Sequence, residues 1–385
     1  MAYCSTIFSQ MLKIVPRHVF GSLDKAHGTG RAARKFTRWD QFVHLMAIQL
    51  TGRKSLRDGV RSMRSRLSDL YHLGTAPAAR STFAEANNKR PASFYKALFG
   101  CIYGRCQGVA PKHKFKFKNK LFSLDATTVS LCLSLFPWAR FRKGKAGIKI
   151  NTLLDHDGYL PAFVSISEAR RHEAKTAQAM TLPKGSIVTM DKAYIAFAWL
   201  YSLTRQGVFF VTRMKTNTNY KVVKRNKINR RLGLTSDQVI WLTGTKWGDY
   251  PVALRRVGYR DKETGKHYVF LTNNFDLAAR TIADIYKERW QIETFFRFIK
   301  QNLKIKSFIG NTENAVMTQV YVALIAYLLL CYLKFLCRLG ISLQMLAQLL
   351  QINLFERRTL QQLLEPPGIN DNFDYNNKQL TLCFA

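Results

Sequence analysis

Three carboxylates stand out by position. Asp125 and Asp191 each close a short run that reads as a β-strand, and Glu293 lies inside a run that reads as a helix. The chain holds only 24 Asp and Glu against 60 Lys and Arg, so few acids are available for chemistry. Carboxylates on neighbouring strand ends and on a helix packed against them supply the hard oxygen ligands that Mg²⁺ prefers. Two such ions, about 3.5–4 Å apart, activate a nucleophile and steady the leaving oxygen at a phosphodiester. On the helix, Tyr286, Arg289, Glu293 and Lys300 follow steps of three, four and seven and share one face. Cations beside a metal-binding carboxylate suit phosphate oxygens. The alternative is a surface helix laced with ion pairs.

Other acids and the histidines read more plainly. Asp155 and Asp157 flank a turn, and Glu168 and Glu173 bracket Arg170, Arg171 and His172, a surface-pairing pattern. The eight histidines and seven cysteines show no metal-ligand spacing and no C-x-x-C pair, which points to reduced thiols in a reducing compartment.

The elements that must hold these groups follow from local pattern. Leu121–Asp125, continuing through Thr128–Leu133, reads as a strand; Gly147–Asp155 and Leu160–Ser167 follow, joined by an Asp157-Gly158 turn. A helix over His172–Met180, a strand Ser186–Met190, a helix Ala193–Arg205 and a strand Val208–Thr212 complete the order. Three strands, helix, strand, helix, strand is the order of a ribonuclease-H-like fold, an α/β class. Short β-type runs at Gln238–Leu242, Val252–Tyr259 and His267–Thr272 predict an all-β insertion, and Asp276–Lys304 a single long helix.

The N-terminal third reads as helical. Trp39, Phe42, Val43 and Met46 make one apolar stripe; Leu56, Val60, Met63, Leu67 and Leu70 make another. Arg57, Arg61 and Arg64 recur on a different face of the second helix, positioned for phosphates or for solvent. Thr82 and Glu85 form a capping-box pattern opening a helix that carries Arg80, Asn87, Asn88, Lys89 and Arg90, types that reach phosphates and base edges. A helix-turn-helix-like module and a plain basic bundle both fit.

Charge and hydropathy bound the partners. The net charge is +36, with 23 Lys and Arg against 5 acids over residues 1–120 and 14 against 4 over residues 213–267; from residue 340 onward it is 3 against 4. So large an excess draws a polyanion, nucleic acid first. Apolar residues at 47% and aromatics at 12% require a folded body rather than a disordered basic tail. The greasiest stretch has 14 uninterrupted apolar residues, Val320 to Leu333. That falls short of the roughly 18 of a membrane span and reads as a buried helix. With no secretory signal at the N-terminus, the expectation is an intracellular, soluble protein without a membrane partner.

Tyr286, Arg289, Glu293 and Lys300 match the Y-x2-R-x3-E-x6-K signature, and the chain resembles the DDE transposases of the insertion-sequence type-four family. Leu124-Asp125-Ala126-Thr127 resembles the family's first-aspartate motif. Met190-Asp191-Lys192-Ala193-Tyr194 is similar to the second, with Lys192 where an arginine is usual, which keeps charge but loses the bidentate fork. The resemblance implies Asp125, Asp191 and Glu293 as ligands of two Mg²⁺ ions, with Mn²⁺ as a substitute. It implies Tyr286, Arg289, Lys300 and Lys192 as DNA contacts, and a tryptophan of the insertion, Trp241 or Trp247, stacked on a flipped base. Core packing is the other reading for each tryptophan.

The implied organisation is a basic helical DNA-binding domain over residues 1–118 and a catalytic domain over 119–335. Within the latter lies a β-rich insertion at 214–274, and a C-terminal helical segment spans 336–385. The implied activity is binding of terminal inverted repeats in double-stranded DNA, cleavage at the ends and joining of 3′-hydroxyls to target DNA, by a homodimer in a bacterial, nucleoid-associated setting. A nuclease on the same fold without joining, and an inactive DNA-binding relic, are the rival readings. Gln344–Leu364 reads as an interaction helix or as core packing.

Overall fold

The computed structural model describes residues 5–28, 35–142, 144–168, 178, 180–244, 247–303, 305 and 307–364. Seven helices come first: α1 (Ile7–Leu12), α2 (Arg17–Ala26), α3 (Arg38–Thr51), α4 (Leu56–Arg64), α5 (Leu67–His72), α6 (Arg80–Lys89) and α7 (Ser93–Gln107). Helix α3 is capped at both ends. The Thr37 side chain accepts from the Asp40 backbone N–H, Asp40 accepts in return from the Thr37 N–H at 2.6 Å, and Gly52 closes the helix with φ of 65°. The stripe from Leu56 to Leu70 does not form one helix. Arg66 interrupts it between α4 and α5, and Leu67 is left exposed. The expected capping box at Thr82 is also absent: α6 begins at Arg80, and Thr82 lies inside it.

The sheet follows, with β1 (Leu121–Leu131), β2 (Arg140–Arg142), β3 (Lys145–Asp155), β4 (Leu160–Glu168), β5 (Ile187–Met190), α8 (Phe197–Arg205) and β6 (Phe209–Arg213). Strands β7 (Tyr220–Arg225), β8 (Leu234–Leu242), β9 (Leu254–Arg260) and β10 (His267–Thr272) come next. All ten join one mixed sheet in the order β2-β3-β1-β5-β6-β10-β9-β8-β7, with β4 on β3. Strand β3 runs antiparallel to β1 and β4 antiparallel to β3, whereas β5 and β6 run parallel to β1. Strand β10 pairs antiparallel with β6, so the β-rich segment extends the main sheet instead of standing apart. The helix read at His172–Met180 lies outside the described residues, save Gln178 and Met180.

Three helices close the described chain beyond the sheet and its two flanking helices α9 (Ala279–Glu288) and α10 (Trp290–Gln301): α11 (Glu313–Leu336), α12 (Leu343–Asn353) and α13 (Leu360–Leu364) follow α10. Helix α11 is long and apolar enough to cross a membrane by composition, but 89% of that apolar window is buried inside the protein. A helix that is apolar all round belongs in a core. It packs against α3, α6, α7 and β4, so the N-terminal helices and one face of the sheet share a single hydrophobic core. Asn314 pins the seam: its amide donates to the Asn87 and Arg90 carbonyls at 2.8 and 2.7 Å, and its oxygen accepts from the Ala92 N–H at 2.9 Å. In α12, Leu346 and Leu350 are buried against the same core, the packing reading of that segment.

Candidate functional site

Strand register brings the two aspartates together. Leu124 of β1 pairs with Met190 of β5 in parallel, and Asp125 and Asp191 are the next residues on each strand. Residues at the same level of adjacent strands lie about 5 Å apart. Each carboxylate is oriented by its own following N–H, from Ala126 to Asp125 at 2.8 Å and from Lys192 to Asp191 at 2.6 Å. Both side chains are half-buried at the sheet edge, open to a ligand without being fully hydrated.

Sequence pattern predicts one helix over Asp276–Lys304, but the helix breaks at Arg289 into α9 and α10. Around the break the hydrogen bonds tighten to a three-residue span, Arg289 N–H to Tyr286 O at 3.2 Å and Ile292 N–H to Arg289 O at 3.1 Å. The kink lets Arg289 turn onto the sheet, where its Nη1 donates to Asp125 Oδ2 at 2.7 Å. Three turns on, the Lys300 ammonium bonds the Thr127 hydroxyl. Glu293 lies between these two positions on α10 and is half-buried.

The local electrostatics favour positive charge. Burial works against the Arg289 charge, yet Tyr286, Asp125 and Asp191 outweigh it and hold its pKa above the ordinary value. The Tyr286 phenol is raised, chiefly by burial, with Arg289 opposing and Asp191 adding to the shift. Arg289 Nε is buried without a hydrogen-bond partner.

The donor types fit a hard divalent ion: one aspartate inside β1, one just past the end of the adjacent β5, and a glutamate on the helix that packs on β1. Among the described residues, however, no three His, Cys, Asp or Glu side chains gather into one cluster. Asp125 is engaged instead by the Arg289 guanidinium, which occupies one of its oxygens.

A buried acid that pattern reading did not single out lies at the helix break. Glu288, 7% exposed, accepts from the Tyr159 hydroxyl at 2.6 Å and pairs with the Lys114 ammonium. Burial opposes its ionised form, but these two donors hold its pKa below the ordinary value. Tyr159 sits at φ of 54° after Gly158 at 71°, in the β3–β4 turn, and its carbonyl accepts from Tyr327 of α11 at 3.0 Å. Beside it, His156 is buried and shares a 2.6 Å hydrogen bond with Ser123, two residues before Asp125. Asp155 and Asp157 are likewise not free turn acids. Lys120 reaches both, at 2.8 and 2.7 Å, and Lys112 reaches Asp157 at 3.0 Å. The run Lys112–Lys120 is therefore a connector fastened to the sheet, and only its dense lysines hinted at acid partners.

The N-terminal candidates divide into two groups. Arg57, Arg61, Arg64 and Arg80 are exposed. Lys54, Arg57, Arg80 and Asn88 line one wall of a cleft of about 650 Å³ whose other wall is Leu135, Phe308 and Asn311. By contrast, Asn87 is buried and bonded to Gln41 at 2.8 Å, and Arg90 donates inward to the Phe36 and Thr37 carbonyls. Neither presents its polar group to a ligand, because both hold α3 against α6. Lys89 is exposed and paired with Glu85. Lys192 is exposed beside Asp191; Trp241 and Trp247 are 38% and 53% exposed, not core.

Comparison with known proteins now bears on this geometry. Residues 116–329, more than half of the chain, match the family described as Transposase DDE domain. The chain belongs to the DDE transposases. Residues 3–76 match a second family, described as a domain of unknown function (DUF4372). This transposase is 32% identical over 291 residues to a putative transposase, y4zB, of Sinorhizobium fredii, covering 74% of this chain and 80% of that one. It is 30% identical to a probable transposase for insertion sequence element IS5377 of Geobacillus stearothermophilus, over 86% and 85% of the two chains. With a putative transposase for insertion sequence element IS4SA of Synechocystis, identity is 26% over 65% and 70%.

These relatives set it among the insertion-sequence transposases of the type-four kind. A looser likeness, TM-score 0.45 at 10% identity, covers 95% of this chain and 82% of a piggyBac transposase solved as a synaptic complex with hairpin DNA. The transposase is thus an enzyme that cleaves DNA and transfers its strands, in a family that depends on divalent metal.

Proposed function

We propose that this transposase binds the terminal inverted repeats of its own element, hydrolyses DNA at their ends and joins the freed 3′-hydroxyls to target DNA. The observation that carries the reading is the register that sets Asp125 beside Asp191, with Arg289 and Lys300 of the broken helix reaching over the same strand. Three antiparallel strands followed by two parallel ones, in the order β4-β3-β1-β5-β6, support a ribonuclease-H-like core.

Asp125, Asp191 and Glu293 would hold two Mg²⁺ ions, or Mn²⁺. Bound there, the ions supply a nucleophile at neutral pH and neutralise charge at the scissile phosphate. Arg289 exchanges Asp125 for a phosphate oxygen, which its fork matches in two bonds. Glu293 swings into the position that the guanidinium leaves. Tyr286 stacks behind Arg289, 5.6 Å from ring centre to guanidinium, and keeps it aimed. Lys300 and Lys192 add charge on either side of the cut. Trp241 and Trp247 offer exposed faces to an unpaired base. The exposed Arg57, Arg61, Arg64 and Arg80 hold the duplex through its phosphates. Two ends cut together call for a homodimer on DNA, and the reaction belongs in a bacterial nucleoid.

The test is incubation of the full chain with its terminal repeats and Mg²⁺, beside Glu293→Gln, on a sequencing gel. Cutting at the repeat boundary that needs metal and vanishes in the variant supports the reading. Equal cutting by both proteins refutes the role of Glu293. Cutting without any joined product favours a nuclease.

A further inference from the structure

The second basic region of the chain, residues 213–267, is not used by the residues around Asp125 and Asp191. Its charges gather on the outermost hairpin of the sheet. Strand β7 is the last in the strand order, and Lys221, Lys224 and Arg225 on it are exposed. Lys227, Arg230 and Arg231 follow in the connection to β8, also exposed.

This hairpin is ordered by specific bonds. Asn229 caps the turn by accepting from the Arg231 N–H at 3.0 Å, Arg280 donates to the Leu232 carbonyl at 2.9 Å, and Asn226 N–H bonds the Asp237 carbonyl at 2.9 Å. Asp237 is the hairpin's one acid, and it is buried and held by Arg255 through two bonds of 2.9 Å. Among the described residues, the other ion pairs of this region join Lys287 to Asp261 and Glu263 and leave the six cations out.

One or two lysines suffice to keep a sheet edge from pairing with another chain. Six cations in eleven residues, with no acid to relieve their repulsion, go well past that need. They also exclude a second copy of this chain, itself strongly basic, as the occupant. We propose that β7 and its following turn form a separate phosphate-binding surface for the duplex DNA that flanks the cut, an inference that rests on the function proposed above. Trp241, half-exposed and directly opposite Lys221 in the β7–β8 register, sits on the same face of the hairpin and adds an apolar contact beside the charge.

The sheet itself sets where the contact falls. Strand β7 stands six positions from β1, so at about 4.8 Å per strand the surface lies about 29 Å from Asp125. Duplex DNA rises about 3.4 Å per base pair, which places the contact about 8 base pairs from the cut.

The experiment compares the full chain with two triple variants, Lys221→Gln/Lys224→Gln/Arg225→Gln and Lys227→Gln/Arg230→Gln/Arg231→Gln. Affinity is followed against salt on terminal-repeat duplexes extending about 5 or about 20 base pairs to each side of the cut. On the long duplex, three lost phosphate contacts lower the slope of log affinity against log salt by about 2.7, and affinity falls about tenfold or more. On the short duplex each variant binds within about twofold of the native chain, because the DNA ends before reaching β7. Unchanged slopes on the long duplex would overturn the proposal. So would equal losses on both lengths, which would make the hairpin a general source of field rather than a contact. Cleavage of the long duplex by the native chain is scored in parallel: its absence refutes the underlying reading, whereas cutting with unaltered slopes refutes only the surface. The two triples occupy separate segments, and each is checked by its melting temperature, so misfolding of one leaves the other to decide.

Discussion

At Asp125, a side chain of 15% exposure, the protein keeps an acid charged by answering it with Arg289, also 15% exposed, at 2.7 Å. A pair this sheltered binds far more firmly than a surface salt bridge, and either partner left alone would be costly. Nearby, His156 shows the opposite strategy: burial holds its imidazole neutral, with its pKa pushed down to about 4 against Glu288 and Asp157, which favour the charge. The unfolded chain takes up a proton near pH 6.5 and the folded chain near 4, so stability falls as pH drops through that window. The contribution, on the order of 3 kcal/mol, is present above pH 6.5 and lost by about pH 4. Replacing His156 with Gln, which can still bond Ser123, is expected to flatten the fall in melting temperature between those limits. A pH dependence identical to the native chain's would show that His156 does not control it.

At the scale of elements, the decisive feature is the break between α9 and α10. Arg289 lies at this break and reaches Asp125 of β1. Glu288 sits at the break, and Tyr159 and Lys114 hold it to the β3–β4 turn and to the connector. Tyr159→Phe removes one donor from a buried carboxylate, at a cost of about 1–3 kcal/mol. If the clamp sets the aim of Arg289 and Glu293, the cleavage rate falls about tenfold or more while DNA affinity stays within about twofold, because a small displacement of catalytic groups is enough. Loss of stability with an unchanged rate would reduce the clamp to a folding contact. The turn it relies on is itself constrained: a Cβ at Gly158 would lie 2.8 Å from the Phe335 ring of α11, at φ of 71°.

For the whole molecule, α11 is the axle. Its apolar surface packs against the N-terminal helices on one side and the sheet on the other, and the Asn314 bonds lock the join. The basic N-terminal helices and the sheet that carries Asp125 are thereby built on one core, so DNA held as proposed by the first would have a defined place relative to the second. Leu328 is fully buried in that core, and Leu328→Ala is expected to cost about 2–5 kcal/mol. Calorimetry should show one transition shifted downward as a whole. Two transitions, with only one displaced, would mean that the N-terminal helices fold on their own.

Most strand positions, the order of the two aspartates and the helical glutamate, and the uneven charge were legible in the sequence, because alternation, turn residues and charge are local properties; β2 and the largely exposed β7, which lack an apolar run, were not. Family membership followed from the spacing of Tyr286, Arg289, Glu293 and Lys300. What local pattern could not supply was which side chains find each other. Leu121 and Ile187 are far apart in the chain, and only their pairing in the sheet brings Asp125 beside Asp191. The helix break at Arg289 was invisible because every residue there is a sound helix former; Tyr159 and Lys114, distant in sequence, supply the bonds that stabilise it. Asn87 and Arg90 look like DNA readers by type, and tertiary packing turned both inward, since an amide and a guanidinium serve a buried carbonyl as well as a phosphate. The sequence by itself determined the kind of chemistry, through residue types and their order. The tertiary structure decided which charges stay free for DNA, because burial and pairing depend on neighbours that only folding brings together.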